Sequence, residues 1–415
     1  NAPDALREKR QEVWRRPLEP VAVAWDGGPL NLKVRLPDHL ADALLIGEVT
    51  LEDGARARYE WIGRDLPAAE AHEVEGRRYV VKQLNFPDLI PFGYQSFELE
   101  VSGRSSETLI ISAPEKAFSP AMNRQQKTWG VFLPLYALHT RDSWGSGSFT
   151  DMESLIEWAA SLGGEVVATL PLLAAFLDET PFEYSPYSPA SRLLWNDFYI
   201  DIGRVPELAS CREAQAVIAS SELQEELASL KKSPSVDYKR QMTLKRRALE
   251  AMSRYLQGSR RAAELRRFLS DNPVVEDYAR FRAAVEKQGK PWPKWDAPLR
   301  DGALKPGDYD EDAFSYHTYA QWIAREQMDA LAQKANERGS GLYLDTPLGV
   351  HSDSYDVWRN QELFIRGTRV GAPPDSFFTR GQDWGFPPIH PQRLRERGYK
   401  HFIDIFRHHL SHAGI

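Results

Sequence analysis

Between residues 345 and 388 the chain gathers the side chains that most invite chemistry. Asp345 is followed by Asp353, Asp356 and Trp358, then by Gly371-Ala372-Pro373-Pro374-Asp375 and Gly381-Gln382-Asp383-Trp384-Gly385. Carboxylates accept pairs of hydrogen bonds from vicinal hydroxyls, and an indole offers a flat apolar face to the C–H side of a sugar ring, so this mixture suits a saccharide site. A Ca²⁺ site built on Asp353 and Asp356 lacks the regularly spaced oxygen ligands of a loop site and is disfavoured. A second aromatic set, Phe182, Tyr184 and Tyr187, lies in the Pro-stiffened stretch Pro181–Ser191. Such rings either stack on sugars or plug a core edge, and composition alone leaves both open. Gly145-Ser146-Gly147 within His139–Ser148 can cradle a phosphate, but a tight loop feeding a helix is the favoured reading. His408 and His412 share the four-residue spacing of a zinc pair, yet no glutamate follows His408, so an exposed helix end is expected. No Gly-x-Ser-x-Gly elbow is present.

These residues need elements to hold them. Trp129–Leu135 and Val166–Leu172 are apolar runs without alternation, expected of strands buried on both faces of a parallel sheet. Between them Ser148 and Asp151 form a capping pair, Met152, Leu155, Ile156 and Ala159 share a helical face, and Gly163-Gly164 ends the helix. This is a βαβ unit, and such units cross over right-handedly. Leu342–Leu344 is a third strand of the same kind, preceded by a helix around Tyr316–Glu337. The candidate residues therefore follow strand ends, where a parallel α/β barrel keeps its site. Between about 205 and 300 the chain is helical, with an apolar stripe of Leu244, Ala248, Ala251, Met252 and Tyr255 and a helix start at Asn272-Pro273. Its basic opposite face is expected to be a solvated surface rather than a nucleic-acid site. A final helix is predicted over Leu394–Leu410.

Before about residue 115 the pattern is β. Leu30, Leu32, Val34 and Leu36 alternate with polar residues after an Asp26-Gly27-Gly28 turn, and Asp53-Gly54 separates two strand-like runs as in a hairpin. Further strands at Tyr79–Leu84, Phe97–Val101 and Leu109–Ser112 suggest a small sandwich. The pattern changes at about Lys127.

Composition narrows the classes. The 415 residues carry 52 Lys+Arg against 59 Asp+Glu, a net charge of −7, which argues against nucleic acid or anionic lipid as partners. At 42% hydrophobic and 27% charged the chain is an ordinary globular one, long enough for two to four domains. A lone cysteine, Cys211, excludes an internal disulfide and a Cys-rich metal site. The longest apolar run, Val166–Leu177, contains Pro171 and is too short to span a bilayer. With no charged-then-apolar leader, a cytoplasmic location is expected. The 12 Trp are unusually many.

Taken together, the motifs resemble one family, the 4-α-glucanotransferases (amylomaltases or disproportionating enzymes, glycoside hydrolase family 77), in its bacterial maltose-system branch. Ser185-Pro186-Tyr187-Ser188-Pro189 with Asn196 and Ile200-Asp201, Leu344–Val350, Asp353–Trp358, Gly371–Asp375 and Gly381–Pro388 match in order, five motifs whose succession is highly specific. Pro91-Phe92-Gly93-Tyr94 resembles that branch's N-terminal domain, and Tyr316–Trp322 the helix before the third strand. The resemblance covers essentially the whole chain. It implies an α/β fold of the (β/α)₈ TIM-barrel family with only the first three βα units present, a helical insertion at Leu193–Ser340, and an immunoglobulin-like β-sandwich in front. The implied domains are 1–115 and 116–415. It further implies transfer of α-1,4-glucan segments to an acceptor sugar by a retaining double displacement, without cofactor or metal. The positions matching family glucan contacts are Tyr187, Asp345, Asp375, Gln382 and Trp384, with Phe182 and Asp353 beside them. Phe182 stands where relatives also have an aromatic, and Asp345-Thr346-Pro347 departs slightly from the usual Asp-Leu/Met-Pro.

Catalysis is where the likeness runs out. The family's nucleophile is an Asp in an Arg-Ile-Asp-His motif ending the fourth strand, and its acid/base Glu and second Asp come from later strands. This chain stops at His412-Ala413-Gly414-Ile415, so no catalytic residue is expected in it. Phe402-Ile403-Asp404 lies on the preceding helix and is not that motif. The expectation is a part of a longer enzyme, inactive alone; the alternative is a non-catalytic glucan-binding protein derived from it.

Overall fold

The structure, a computed structural model, describes residues 2–117, 128–177, 180–339 and 341–415. The change of pattern at about Lys127, and Ser340, lie outside the described residues. The chain forms two units, Asn1–Gln125 with Pro391–Lys400, and Gln126–His390 with His401–Ile415.

In the first unit helix α1 (Ala2–Arg15) precedes strands β1 (Val21–Trp25), β2 (Asn31–Pro37), β3 (Leu44–Thr50), β4 (Arg56–Ile62), β5 (Ala68–Val74), β6 (Arg77–Asn85), β7 (Gly93–Val101) and β8 (Arg104–Ala113). They make a five-stranded sheet ordered β1-β8-β7-β3-β4 and a three-stranded sheet ordered β2-β6-β5. Alternation decides which side chains meet. Leu32, Val34 and Leu36 of β2 and Leu84 of β6 face Leu45, Val49, Phe97, Leu99 and Ile110 of the larger sheet in one buried core. The Asp53-Gly54 hairpin is there, with Thr50 opposite Arg56 and Gly54 at φ 86°. Strand β5 (AAEAHEV) escaped the pattern because only Val74 of it is buried, so no alternation marks it.

The second unit holds strands β9 (Gly130–Phe132), β10 (Val166–Thr169) and β11 (Gly341–Leu344), all parallel, with β10 in the middle. Helix α2 (Phe149–Ser161) follows β9; its N-cap is Ser148, whose backbone and hydroxyl both bond the Asp151 carboxylate in a capping box. A helical stretch separates β10 from β11: α3 (Arg212–Ala219), α4 (Ser221–Lys232), α5 (Tyr238–Leu256), α6 (Ala262–Asp271), α7 (Pro273–Gln288), α8 (Ala297–Arg300) and α9 (Glu311–Glu337). After β11 come α10 (Tyr355–Arg359) and the short hairpin β12 (Gly371–Ala372) and β13 (Gln382–Asp383); α11 (Pro391–Glu396) follows as part of the first unit, and α12 (Lys400–Leu410) returns the chain to the second. Val167, Leu342 and Leu344 pack under α2 and α9 against Met152, Ile156 and Ile323.

Several expectations need correction. The parallel strands are not buried on both faces: Phe132 is 59% and Tyr343 43% exposed, and these two flank Ala168 in one row of the sheet. A run of apolar residues cannot report that only one face has a helix on it. The final helix is two, broken where Gly398 and Tyr399 take φ 61° and 58°. Tyr255, placed on the buried stripe of α5, is 41% exposed at that helix's last turn. Asn272 precedes Pro273 as expected, but its amide turns back to Phe268 O at 2.9 Å instead of capping α7.

Candidate functional site

Strands β10 and β11 are neighbours, and the loops that follow their carboxyl ends meet. Tyr187, in the loop after β10, donates its hydroxyl to Asp345 Oδ2 at 2.7 Å, just past β11. That bond, and then burial, push the Tyr187 phenol up to about 12, so it stays a donor across the physiological range. The Tyr187 ring remains 47% exposed. Its loop is pinned at both ends: Leu173 bridges Trp195, Phe176 bridges Glu183, and the Glu183 carboxylate accepts from Ser185 N at 2.9 Å.

Phe182 and Tyr184 stand beside this pair. Their rings are 6.0 Å apart, and Tyr184 stacks on Tyr238 at 5.4 Å and 18°. Together with Tyr136 and His139 they line a cavity of about 1410 Å³. The aromatic loop thus carries exposed rings, Phe182 at 47% and Tyr184 at 58%, and does not plug a core edge. Tyr238 was not foreseen. Asp237 caps α5 through Arg240 N, and that cap was legible, but not the direction of the ring next to it.

The hairpin β12–β13 carries the remaining candidates. Gly371 pairs with Asp383 and Ala372 with Gln382. A Cβ on Gly371 would lie 1.9 Å from Gln382 O, so only glycine lets the strands close. Gln382 Oε1 accepts from Trp384 Nε1 at 3.2 Å, and Trp384 is 43% exposed. Asp375 Oδ1 accepts from Phe377 N and Phe378 N at 2.8 and 2.6 Å, so one carboxylate oxygen shapes its own turn. The Gly385 backbone N–H and Arg369 hold the Asp383 carboxyl below its usual range. Phe386 anchors the hairpin: its ring lies where a Cβ on Gly349 would be, 2.1 Å from Cδ2, in the segment that begins with Asp345. Among the described residues, no hydrogen bond or ring contact joins Gln382 or Trp384 to Tyr187 or Asp345.

Asp353 is half-buried, and its backbone N–H donates to His351 Nδ1 at 3.1 Å. Burial pushes the Asp353 carboxyl up and the His351 imidazole down, each against the pull of the other.

Other candidates are overturned. Asp356 and Trp358 are 0% and 1% exposed; Asp356 faces Arg192 and Trp358 Nε1 donates to Leu299 O, so neither can meet a sugar or a Ca²⁺ ion. The Gly145-Ser146-Gly147 loop does not cradle an anion, since the Asp151 carboxylate already fills the start of α2 and Gln241 Nε2 bonds Ser146 Oγ at 2.5 Å. The histidines are not an exposed helix end: His409 and His412 are 3% and 6% exposed, and His408 lies against Trp195 with ring centroids 4.2 Å apart. Among the described residues no group of three His, Cys, Asp or Glu is arranged to hold a metal, and no helix is long and apolar enough to cross a membrane. Asp404 lies within α12. Of the abundant Trp, Trp195, Trp292, Trp295, Trp322 and Trp358 are core, leaving Trp384 as the exposed ring among the candidates.

Comparison with known proteins bears on this geometry. The 4-alpha-glucanotransferase family of glycoside hydrolase 77 matches residues 133–415, and the MalQ N-terminal beta sandwich domain matches 17–114. A 4-alpha-glucanotransferase of Mycobacterium tuberculosis is 30% identical over 427 aligned positions, 99% of this chain and 58% of the relative. The crystal structure of amylomaltase from Corynebacterium glutamicum superposes with a TM-score of 0.81 at 26% identity, over 99% of this chain and 56% of that one. The amylomaltase from Streptococcus agalactiae in complex with acarbose, 22% identical, shares the fold at a TM-score of 0.58 over 69% of this chain and 58% of its own. The chain therefore spans somewhat more than half the length of these relatives. With a family match across most of its residues, a like-folded amylomaltase and a sandwich domain in front, the chain belongs to the 4-alpha-glucanotransferase family.

Proposed function

We propose that these residues are the glucan-holding portion of an enzyme that transfers segments of α-1,4-glucan to an acceptor sugar by a retaining double displacement. The supporting observation is the Tyr187–Asp345 pair, formed by loops that leave the carboxyl ends of two adjacent parallel strands. In this reading residues 116–415 are the first three βα units of a (β/α)₈ barrel, with about 193–340 inserted in one loop. The open row of Phe132, Ala168 and Tyr343 then belongs to the barrel's interior face. Gly414 N and Ile415 N both bond Leu342 O, at 2.9 and 3.1 Å, along the edge of β11 where a fourth strand would pair.

Glucan would lie along Tyr187, Phe182 and Trp384. Asp345, Asp353, Asp375 and Gln382 would meet its hydroxyls. The family match over residues 133–415 supports a glucan ligand here. A retaining mechanism needs two carboxyl groups about 5–5.5 Å apart. The carboxylates near this site have other tasks: Asp345 accepts from Tyr187, Asp375 holds its turn, Asp383 pairs with Arg369, and Asp356 is buried with Arg192. The nucleophile and the acid/base group are accordingly assigned to residues outside these 415, and the chain by itself to glucan binding without turnover.

Two measurements test this. Calorimetric titration with maltoheptaose should show binding that Trp384→Ala weakens about tenfold, the loss of one stacking face. Equal affinity in the variant would remove Trp384 from the site. Incubation with maltotriose should leave it unchanged; appearance of glucose with longer maltodextrins would overturn the assignment of catalysis to other residues.

A further inference from the structure

We infer that the β unit carries a binding pocket for a small phosphate-bearing ligand, a function separate from the glucan site and independent of that reading. At one end of the sandwich the two sheets part around a recess of about 830 Å³. Five arginines line it: Arg15 from the end of α1, Arg35 from β2, Arg77 and Arg78 from β6, and Arg104 from the start of β8. His39 adds an imidazole, and Asp38 is the one carboxylate in the lining. So dense a basic cluster stands out in a chain whose net charge is −7.

The arginines are not simply neutralised. Arg15 bonds Glu75 at 2.6 Å, Arg35 bonds Glu19, and Arg78 lies 3.5 Å from Asp38. Arg77 and Arg104 have no carboxylate partner among the described residues. Arg35 is the informative one. Its side chain is 12% exposed, its guanidinium stands over the Trp14 ring at 5.8 Å, and Nη1 is buried with no hydrogen-bond acceptor among the described residues. A buried donor left unmet is unfavourable, and a ligand oxygen in the recess would satisfy it once the guanidinium turns toward that recess.

The chemistry of the lining selects the ligand. Guanidinium groups present paired N–H donors that match phosphate oxygens bidentately, and several converging from different strands suit a multiply charged group. The volume exceeds what one tetrahedral oxyanion fills, so a diphosphate or a phosphate ester fits better than a lone ion. The Ser102 and Ser106 hydroxyls and the half-buried Tyr79 ring complete the walls for the remainder of such a molecule.

The test uses the whole 415-residue chain and pyrophosphate as probe, titrated calorimetrically at about 50 mM salt, where surface screening is modest. Pyrophosphate should bind about tenfold more tightly than sulfate. Arg77→Ala with Arg104→Ala, both exposed and without a carboxylate partner among the described residues, should weaken it at least about tenfold while leaving thermal unfolding and maltoheptaose binding unchanged. Arg35→Gln should weaken pyrophosphate binding to a similar degree, with lower thermal stability because its ion pair with Glu19 is lost. Absence of binding at about 5 mM pyrophosphate, or equal affinity in the double variant, would overturn the proposal. Tighter binding of a single-stranded oligonucleotide, lost in the same variants, would overturn it too, by making the recess part of an extended polyanion surface.

Discussion

Asp356→Ala is expected to lower the stability of the second unit by about 3–5 kcal/mol, because it strands a buried cation. Asp356 is 0% exposed; its oxygens accept from Ser191 Oγ at 2.7 Å and Arg192 N at 3.1 Å, and lie 3.8 Å from Arg192 Nε. Arg192 is itself 1% exposed. Burial pulls its guanidinium down from its usual range and Asp356 is what opposes that pull. Its other nitrogens reach Leu348 O at 3.3 Å and His401 Nε2 at 3.1 Å. Without the carboxylate, the guanidinium keeps only neutral acceptors in a site closed to water. The consequence is not confined to stability. Ser191 and Arg192 follow the loop that carries Tyr187, and Leu348 follows Asp345, so this ion pair fastens together the two loops that form the candidate site. Asp356→Asn, which keeps an acceptor but not the charge, should lie between alanine and wild type. Urea unfolding followed by tryptophan fluorescence reads the difference; a loss under about 1 kcal/mol for alanine would mean that the pair contributes little.

That residue also shows what one sequence can and cannot convey. Asp356 and Trp358 sit in a stretch whose composition suits a sugar site, and their neighbour Asp353 is half-buried where a ligand can reach it. Position on α10 decides the difference: Tyr355–Trp358 turn inward as a buried row, and a five-residue helix is too short to declare its buried face by periodicity. Where a local rule had a single physical solution, the reading held. Ser148 with Asp151 and Asp53-Gly54 occupy the helix start and the turn that their chemistry demands, and Pro273 opens α7 even though the Asn272 side chain does not cap it. Strand position was legible too, but strand environment was not, since Phe132 and Tyr343 lie in a row on the sheet face that no helix covers. Long-range contacts stayed hidden for the same reason. The Tyr187–Asp345 hydrogen bond joins residues 158 apart, and no pattern in either segment refers to the other. The ordered motifs located both residues without disclosing that they touch.

The histidines at the end of α12 should make the second unit acid-sensitive. His408 rests on Trp195, with His409 and His412 at centroid distances of 5.5 and 6.1 Å. Among the described residues His408 Nε2 and His409 Nε2 are buried without hydrogen-bond partners, while His409 Nδ1 pairs with Ile405 O at 2.9 Å. From α9, Asp329 accepts from His412 Nε2 at 2.6 Å and from Arg325 at 2.8 Å. Burial, then His409, His412 and Arg325, hold the His408 imidazole well below its usual range; burial likewise lowers His409. A histidine whose folded pKa is depressed binds its proton more readily in the unfolded chain. Its contribution is therefore intact above the unfolded value of about 6.5 and is lost as pH falls toward the folded value. Each unit of pH between about 6.5 and the folded value removes about 1.4 kcal/mol for one such group, so His408 alone should withdraw up to about 2 kcal/mol between pH 7.5 and 5. Carboxylates complicate the raw profile, since Asp353 and Glu326 have raised values and shift it the other way. His408→Phe isolates the imidazole, keeping a ring on Trp195 while removing the proton. The variant should match or exceed wild-type stability at pH 7.5 and exceed it by up to about 2 kcal/mol more at pH 5. Urea midpoints at the two pH values give the comparison. Parallel losses in both proteins would show that the acid sensitivity arises elsewhere, and that His408 takes up its proton as readily in the folded protein as in the unfolded chain.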